Sequence, residues 1–87
     1  MRYEKYLIQL SQEIKLKNYS YRTLQAYTQC VEYFLKSWIK TENNLNTIDR
    51  NLIKKIMLYL HDKGKSPKTI NLYKSAIIFF TNEVLDL

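Results

Sequence analysis

Residues that break regular structure are almost missing from this chain. Its 87 residues contain one glycine, Gly64, and one proline, Pro67. A β-rich chain of this length needs many tight turns, and tight turns need such residues. Long helices do not. Cys30 is the only cysteine, which excludes an internal disulfide and a cysteine-built zinc site and fits a reducing, cytoplasmic setting. His61 is the only histidine, and it reads as a charge partner for a helix C-terminus rather than a catalyst. No apolar run approaches the roughly 18 residues of a membrane span. The start MRYEKYLIQL is basic, but Glu4 and Gln9 interrupt the apolar core a signal peptide needs. No carboxylate pair shares an apolar face, and no serine or cysteine has a base at a telling spacing. A glycine-rich phosphate loop is excluded by the glycine count. Catalytic, metal and cofactor sites are therefore not expected.

What is abundant is positive charge. Fourteen basic residues face eight acidic ones, a net charge of +6. A small basic domain points to an acidic partner, either nucleic acid or an anionic membrane surface, unless the charge only keeps the surface solvated. Apolar residues make up 46% of the chain, enough for one modest core, so the whole of 1–87 is expected to form a single ordered domain.

A repeat organises the chain. SYRTLQAY, Ser20 to Tyr27, is echoed by SPKTINLY, Ser66 to Tyr73. Ser20 matches Ser66, Arg22 matches Lys68, Thr23 matches Thr69, and Tyr27 matches Tyr73. Leu24 and Ile70, then Gln25 and Asn71, also correspond, and Tyr33-Phe34 falls opposite Phe79-Phe80. Each copy opens a helix with a capping serine, followed by a cation and apolar residues at helical spacing. A helix N-terminus carries free N–H groups and partial positive charge, so with a cation and small hydroxyls it suits phosphate. The plain alternative is that each copy is only a helix start.

The apolar spacing predicts helices over 3–16, 21–39, 50–63 and 67–85. Tyr3, Tyr6, Leu7, Leu10 and Ile14 share one face of the first. Tyr19 and Leu24 stand where a hydrophobic staple closes the second, as do Ile48 and Ile53 on the third, which Asp49 caps. Gly64 suits the left-handed residue that ends the third, and Pro67 the first turn of the fourth. Thr41 to Thr47, rich in asparagine and without period, is expected to be a loop. One core should gather Leu24, Tyr27, Val31, Phe34, Ile56, Leu60, Ile70, Tyr73, Ile77 and Phe80. The bundle is expected to use up the apolar faces, which argues against a membrane-surface helix.

S-Y-R-T-L-Q-A-Y and then S-P-K-T-I-N-L-Y ahead of A-I-I-F-F resemble the core-binding domain of tyrosine recombinases, the phage integrase family. The order of helix, S-x-x-T helix, loop, helix, short turn and S-P-x-T helix extends the resemblance over nearly the whole chain. It implies an all-α, four-helix orthogonal SAM-like bundle that forms half of a C-shaped clamp on double-stranded DNA. The second and fourth helices would lie in or beside the major groove. Ser20, Arg22, Thr23 and Gln29 would then face DNA from one helix, and Lys65, Ser66, Lys68, Thr69 and Asn71 from the other; the residues' own chemistry adds Tyr21 and Ser75 as DNA-binding candidates. In that family catalysis belongs to a separate C-terminal domain of the same parent chain. None of its arginine, lysine, histidine and tyrosine set is matched here, so no tyrosine is expected to be a nucleophile. The chain stops where that family's interdomain linker would begin. The implied partners are DNA, the catalytic domain and other recombinase protomers on DNA.

Within this scheme the helix starts suit phosphate, while Gln29, Asn71 and Ser75 are neutral donors and acceptors able to read base edges, with Ala26 small enough to allow close approach. They are otherwise ordinary surface residues. Tyr21 and Tyr33 are expected to be exposed, either against sugar and phosphate or as plain surface. Two other functions fit the composition. One is a helical protein–protein interaction domain. The other is a helix-turn-helix regulator, suggested by the short Gly64 turn.

Overall fold

Each serine start opens a helix. The computed structural model describes residues 3–87, apart from the side chains of Glu42 and Asn43. Met1 and Arg2, part of the start that argued against a signal peptide, lie outside the described residues. The chain folds as α1 (Glu4–Leu16), α2 (Tyr21–Ser37), α3 (Arg50–Asp62) and α4 (Pro67–Glu83), with no strand among the described residues. Every helix boundary lies within two residues of the one expected from sequence.

The repeat is deeper than its two serine motifs. α3 and α4 reproduce α1 and α2 at a constant offset of 46 residues, boundary for boundary. The turns match too. α1 ends on Asn18 (φ 60°) and α3 on Gly64 (φ 84°). In the first turn the Asn18 N–H donates to the Lys15 carbonyl (2.9 Å) and the Tyr19 N–H to that of Ile14 (3.2 Å). In the second the Gly64 N–H donates to His61 (3.0 Å) and the Lys65 N–H to Leu60 (3.1 Å). Both are Schellman turns, which need a left-handed residue; glycine and asparagine are the residues that reach that conformation most easily.

The buried positions obey the same offset. Leu10 and Ile56, Ile14 and Leu60, Cys30 and Ala76, Val31 and Ile77, Phe34 and Phe80, and Leu35 and Thr81 are six equivalent pairs, all buried. Thr81 is the one polar member, and its hydroxyl donates to the Ile77 carbonyl (2.8 Å). Phe34 and Phe80 are fully enclosed, each contributing about 1.5–3 kcal/mol of burial. α2 and α4 form the central contact, with α1 packed on α2, α3 on α4, and α1 also reaching α4.

The structure departs from the sequence reading at four places. Thr41 to Thr47 is not an irregular loop, because Glu42–Thr47 forms a 3₁₀ helix. One apolar residue among asparagines has no period to read, yet Leu45 is buried in the core between Ile39 and Ile48. Leu24, Tyr27, Ile70 and Tyr73 pack against the core but stay half-buried, at the rim rather than inside it. Tyr33, expected at the surface, is half-buried against Tyr73 and Trp38. The apolar faces are not fully used either: Ile8, Leu16, Leu58 and Ile78 remain exposed.

Candidate nucleic-acid interface

The two helix starts have nearly the same geometry. Ser20 (φ −67°, ψ 159°) and Ser66 (φ −70°, ψ 156°) both hold the extended backbone of an N-cap. Ser20 Oγ accepts from the Thr23 N–H at 3.2 Å and donates to Thr23 Oγ1 at 3.1 Å. Ser66 does the same with Thr69, at 3.2 and 3.1 Å. One hydroxyl thus satisfies a backbone donor, and the threonine hydroxyl remains beside the other free N–H groups of the first turn.

Electrostatics separates these two starts from the others. α1 has Glu4 in its first turn and α3 has the Asp49 carboxylate as its cap, accepting from the Leu52 N–H at 2.9 Å. A negative group there is what the helix dipole favours. The first turns of α2 and α4 carry no acid. They carry Arg22 and Lys68 instead, both exposed. A cation at a helix N-terminus is unfavourable by roughly 0.3–1 kcal/mol unless an anion from outside joins it. Neither Arg22, Lys65 nor Lys68 makes an ion pair among the described residues.

The sequence-derived residues do not form one pocket. Tyr27 faces Phe79 (ring centroids 5.7 Å) and Tyr33 faces Tyr73 (5.3 Å), so α2 and α4 cross in antiparallel sense about Cys30 and Ala76. Each capping serine lies ten residues from that crossing, roughly 15 Å along its helix, and on opposite sides of it. The two starts are therefore separate docking points. At the α4 start lies a groove of about 390 Å³ lined by Tyr27, Lys68, Thr69, Asn71, Leu72 and Ser75. Gln29 falls elsewhere. It lies with Tyr21 and Gln25 in a shallow groove between α1 and α2, where Gln25 Nε2 donates to the Tyr21 hydroxyl at 3.4 Å. Tyr21 is 71% exposed.

The spacing of Tyr27 predicts a core position, yet its ring forms one wall of the α4 groove. Burial raises its phenol pKa, as do Tyr19 and Cys30, while the Ser75 hydroxyl pulls it partly back. Burial likewise raises Tyr73. Both phenols remain protonated donors at neutral pH. The sequence signal for Tyr27 is its match to Tyr73, a phenol hydroxyl carried on an apolar stripe that can reach the rim of the core.

The geometry meets an independent comparison here. The sequence pattern of the phage integrase N-terminal SAM-like domain matches residues 6–87. The chain belongs to this family. No curated protein and no solved structure matches it. The SAM-like domain has four helices, as its family resemblance implied, and no helix long and apolar enough to cross a membrane among the described residues.

Proposed function

We propose that this SAM-like domain grips duplex DNA as the core-binding half of a tyrosine recombinase clamp, with strand exchange carried out by a separate catalytic domain of the same parent chain. The observation that carries the reading is the dipole mismatch. Only the two helices with matched serine starts hold a first-turn cation with no carboxylate in the cap or first turn to offset it, since Lys5 has Glu4 beside it and Arg50 has Asp49, and an external phosphate removes that conflict at both. Ser20, Arg22 and Thr23 hold one backbone phosphate in this reading. Ser66, Lys68 and Thr69, with Lys65 beside them, hold another. Tyr21 packs against the sugar-phosphate backbone. Asn71 and Ser75 in the α4 groove, and Gln29 in its own, face base edges. The domain, residues 1–87, works in the cytoplasm beside other protomers on DNA, and by itself does not catalyse recombination. A helix-turn-helix reading loses its motive, because the α3–α4 turn has a twin at α1–α2.

Fluorescence anisotropy of a labelled duplex at several salt concentrations tests this. The isolated domain should bind with a Kd of roughly 10⁻⁴–10⁻⁶ M, and its affinity should fall steeply as salt rises. Arg22→Ala and Lys68→Ala should each weaken binding and flatten the salt slope by about one phosphate. If both variants bind like the parent at every salt concentration, the helix starts are not phosphate sites. No binding of duplex at low salt would point to a protein interaction module instead.

A further inference from the structure

A groove of about 690 Å³ runs between the start of α3 and the second half of α4. Its floor is apolar, with Ile53, Met57 and Ile78 prominent, and Arg50, Lys54 and Lys74 line it as well. Ile53 and Met57 are half-buried and Ile78 is 37% exposed, so the floor keeps apolar surface in water. The polar groups nearby are already engaged. Thr81 gives its hydroxyl to the Ile77 carbonyl, and Asp49 is turned to the Leu52 N–H. The three cations make no ion pair among the described residues.

The repeat shows that this arrangement is particular to the second half. At the offset of 46 residues, Arg50, Lys54, Lys74 and Ile78 correspond to Glu4, Ile8, Thr28 and Glu32. No cationic rim exists at the equivalent place. The groove also uses a different side of α4 from the one that carries Lys68, Asn71 and Ser75.

We propose that this groove docks an acidic amphipathic helix of a partner protein, its apolar face on Ile53, Met57 and Ile78 and its carboxylates against Arg50, Lys54 and Lys74. A DNA backbone would satisfy the cations but leave the apolar floor wet. A neutral apolar segment would cover the floor but leave three unpaired charges at its edge. An acidic amphipathic helix answers both demands at once, and helix-in-groove recognition has this form. A volume of this size is typical of a site that accepts inserted groups rather than a flat contact.

The probe is a fluorescein-labelled synthetic peptide of about four helical turns, with leucines on one face and glutamates flanking them. Anisotropy with the whole chain should show saturable binding, with backbone amide NMR shifts confined to α3 and the second half of α4. A scrambled peptide of the same composition should bind at least tenfold more weakly. Lys54→Glu with Lys74→Glu should also cost at least tenfold, and both positions are exposed, so the fold should survive, as circular dichroism can verify. Several outcomes overturn the proposal. They are no binding up to about 1 mM, equal binding of the scrambled peptide, indifference to the double charge reversal, or NMR shifts centred on Arg22 and Lys68. Displacement by dodecanoate that itself binds more tightly would assign the groove to a small amphiphile instead. Competition by duplex DNA would assign its cations to DNA. The Arg22 and Lys68 titrations are separate, so the DNA reading and this one can fail independently.

Discussion

Tyr33 and Tyr73 meet edge to face across the bundle, 5.3 Å between ring centroids at an interplanar angle of 80°. The same contact recurs between Tyr27 and Phe79, at 5.7 Å and 61°. The offset of 46 residues exchanges the two pairs, so they bracket the helix crossing symmetrically. Cys30 and Ala76, midway between them on α2 and α4, are 3% and 0% exposed. Small side chains at this point let the central helices approach closely, and that approach fixes where the flanking helix starts project.

Enlarging the crossing should therefore be costly. Ala76→Leu inserts three carbons where nothing is exposed, and should destabilise the domain by about 1–3 kcal/mol or more through forced rotamers and backbone shifts. Cys30→Ala should cost less, since it removes a single sulfur. Urea denaturation of both variants checks the order. An Ala76→Leu protein as stable as the parent would mean the helices do not close on this position.

The two serine caps should be nearly interchangeable in energy. Ser20→Ala and Ser66→Ala should each lower stability by about 1 kcal/mol. Because the caps are far apart and share no partner, the double variant should lose close to the sum. Thermal and urea melts measure this. A large coupling between the two changes would contradict their separation on opposite sides of the crossing.

Cys30 gives the domain a defined alkaline limit. Burial pushes its thiol from the ordinary 9.0 up to about 11. Above pH 9 the unfolded thiol loses its proton while the folded one keeps it. The unfolded state then binds fewer protons, so stability falls as pH rises from about 9 to 11, by about 2 kcal/mol. Tyr27 and Tyr73, also raised, extend the loss in the same direction. Unfolding free energies at pH 8, 9.5 and 11 should show the decline, and Cys30→Ala should remove its first part. A flat profile in the parent would mean the thiol is not desolvated.

Base reading should be divided between two grooves. Asn71 shares a groove with Lys68 and Tyr27, whereas Gln29 lies on the α1 side of α2. In a recombinase containing this domain, as the proposed function implies, selection from a random duplex library should show Asn71→Ala relaxing preference at one base pair and Gln29→Ala at another. Each change should be worth about 1–3 kcal/mol of discrimination, with random-duplex affinity and salt slope nearly unchanged. If Gln29→Ala weakens every duplex by the same factor, Gln29 positions the protein and reads nothing.

Sequence alone determined the helices and their caps, because those depend on neighbours along the chain. A serine three residues before a threonine, a glycine after a periodic run and a proline in a first turn act within one helical turn. It also supplied the matched starts around Ser20 and Ser66 and the excess of positive charge. Only the tertiary structure decided which polar residues share a surface. Helical spacing placed Tyr27 on an apolar stripe, but the angle at which α4 crosses α2 turned its ring into a groove wall beside Lys68 and Asn71. The same crossing put Gln29 on another surface and drew Tyr33 inward against Tyr73. Leu45 had no periodic neighbours to announce it and is buried only because the 3₁₀ turn carries it into the core. Local rules fix what a residue does to its own helix; long-range packing fixes which surfaces the side chains share.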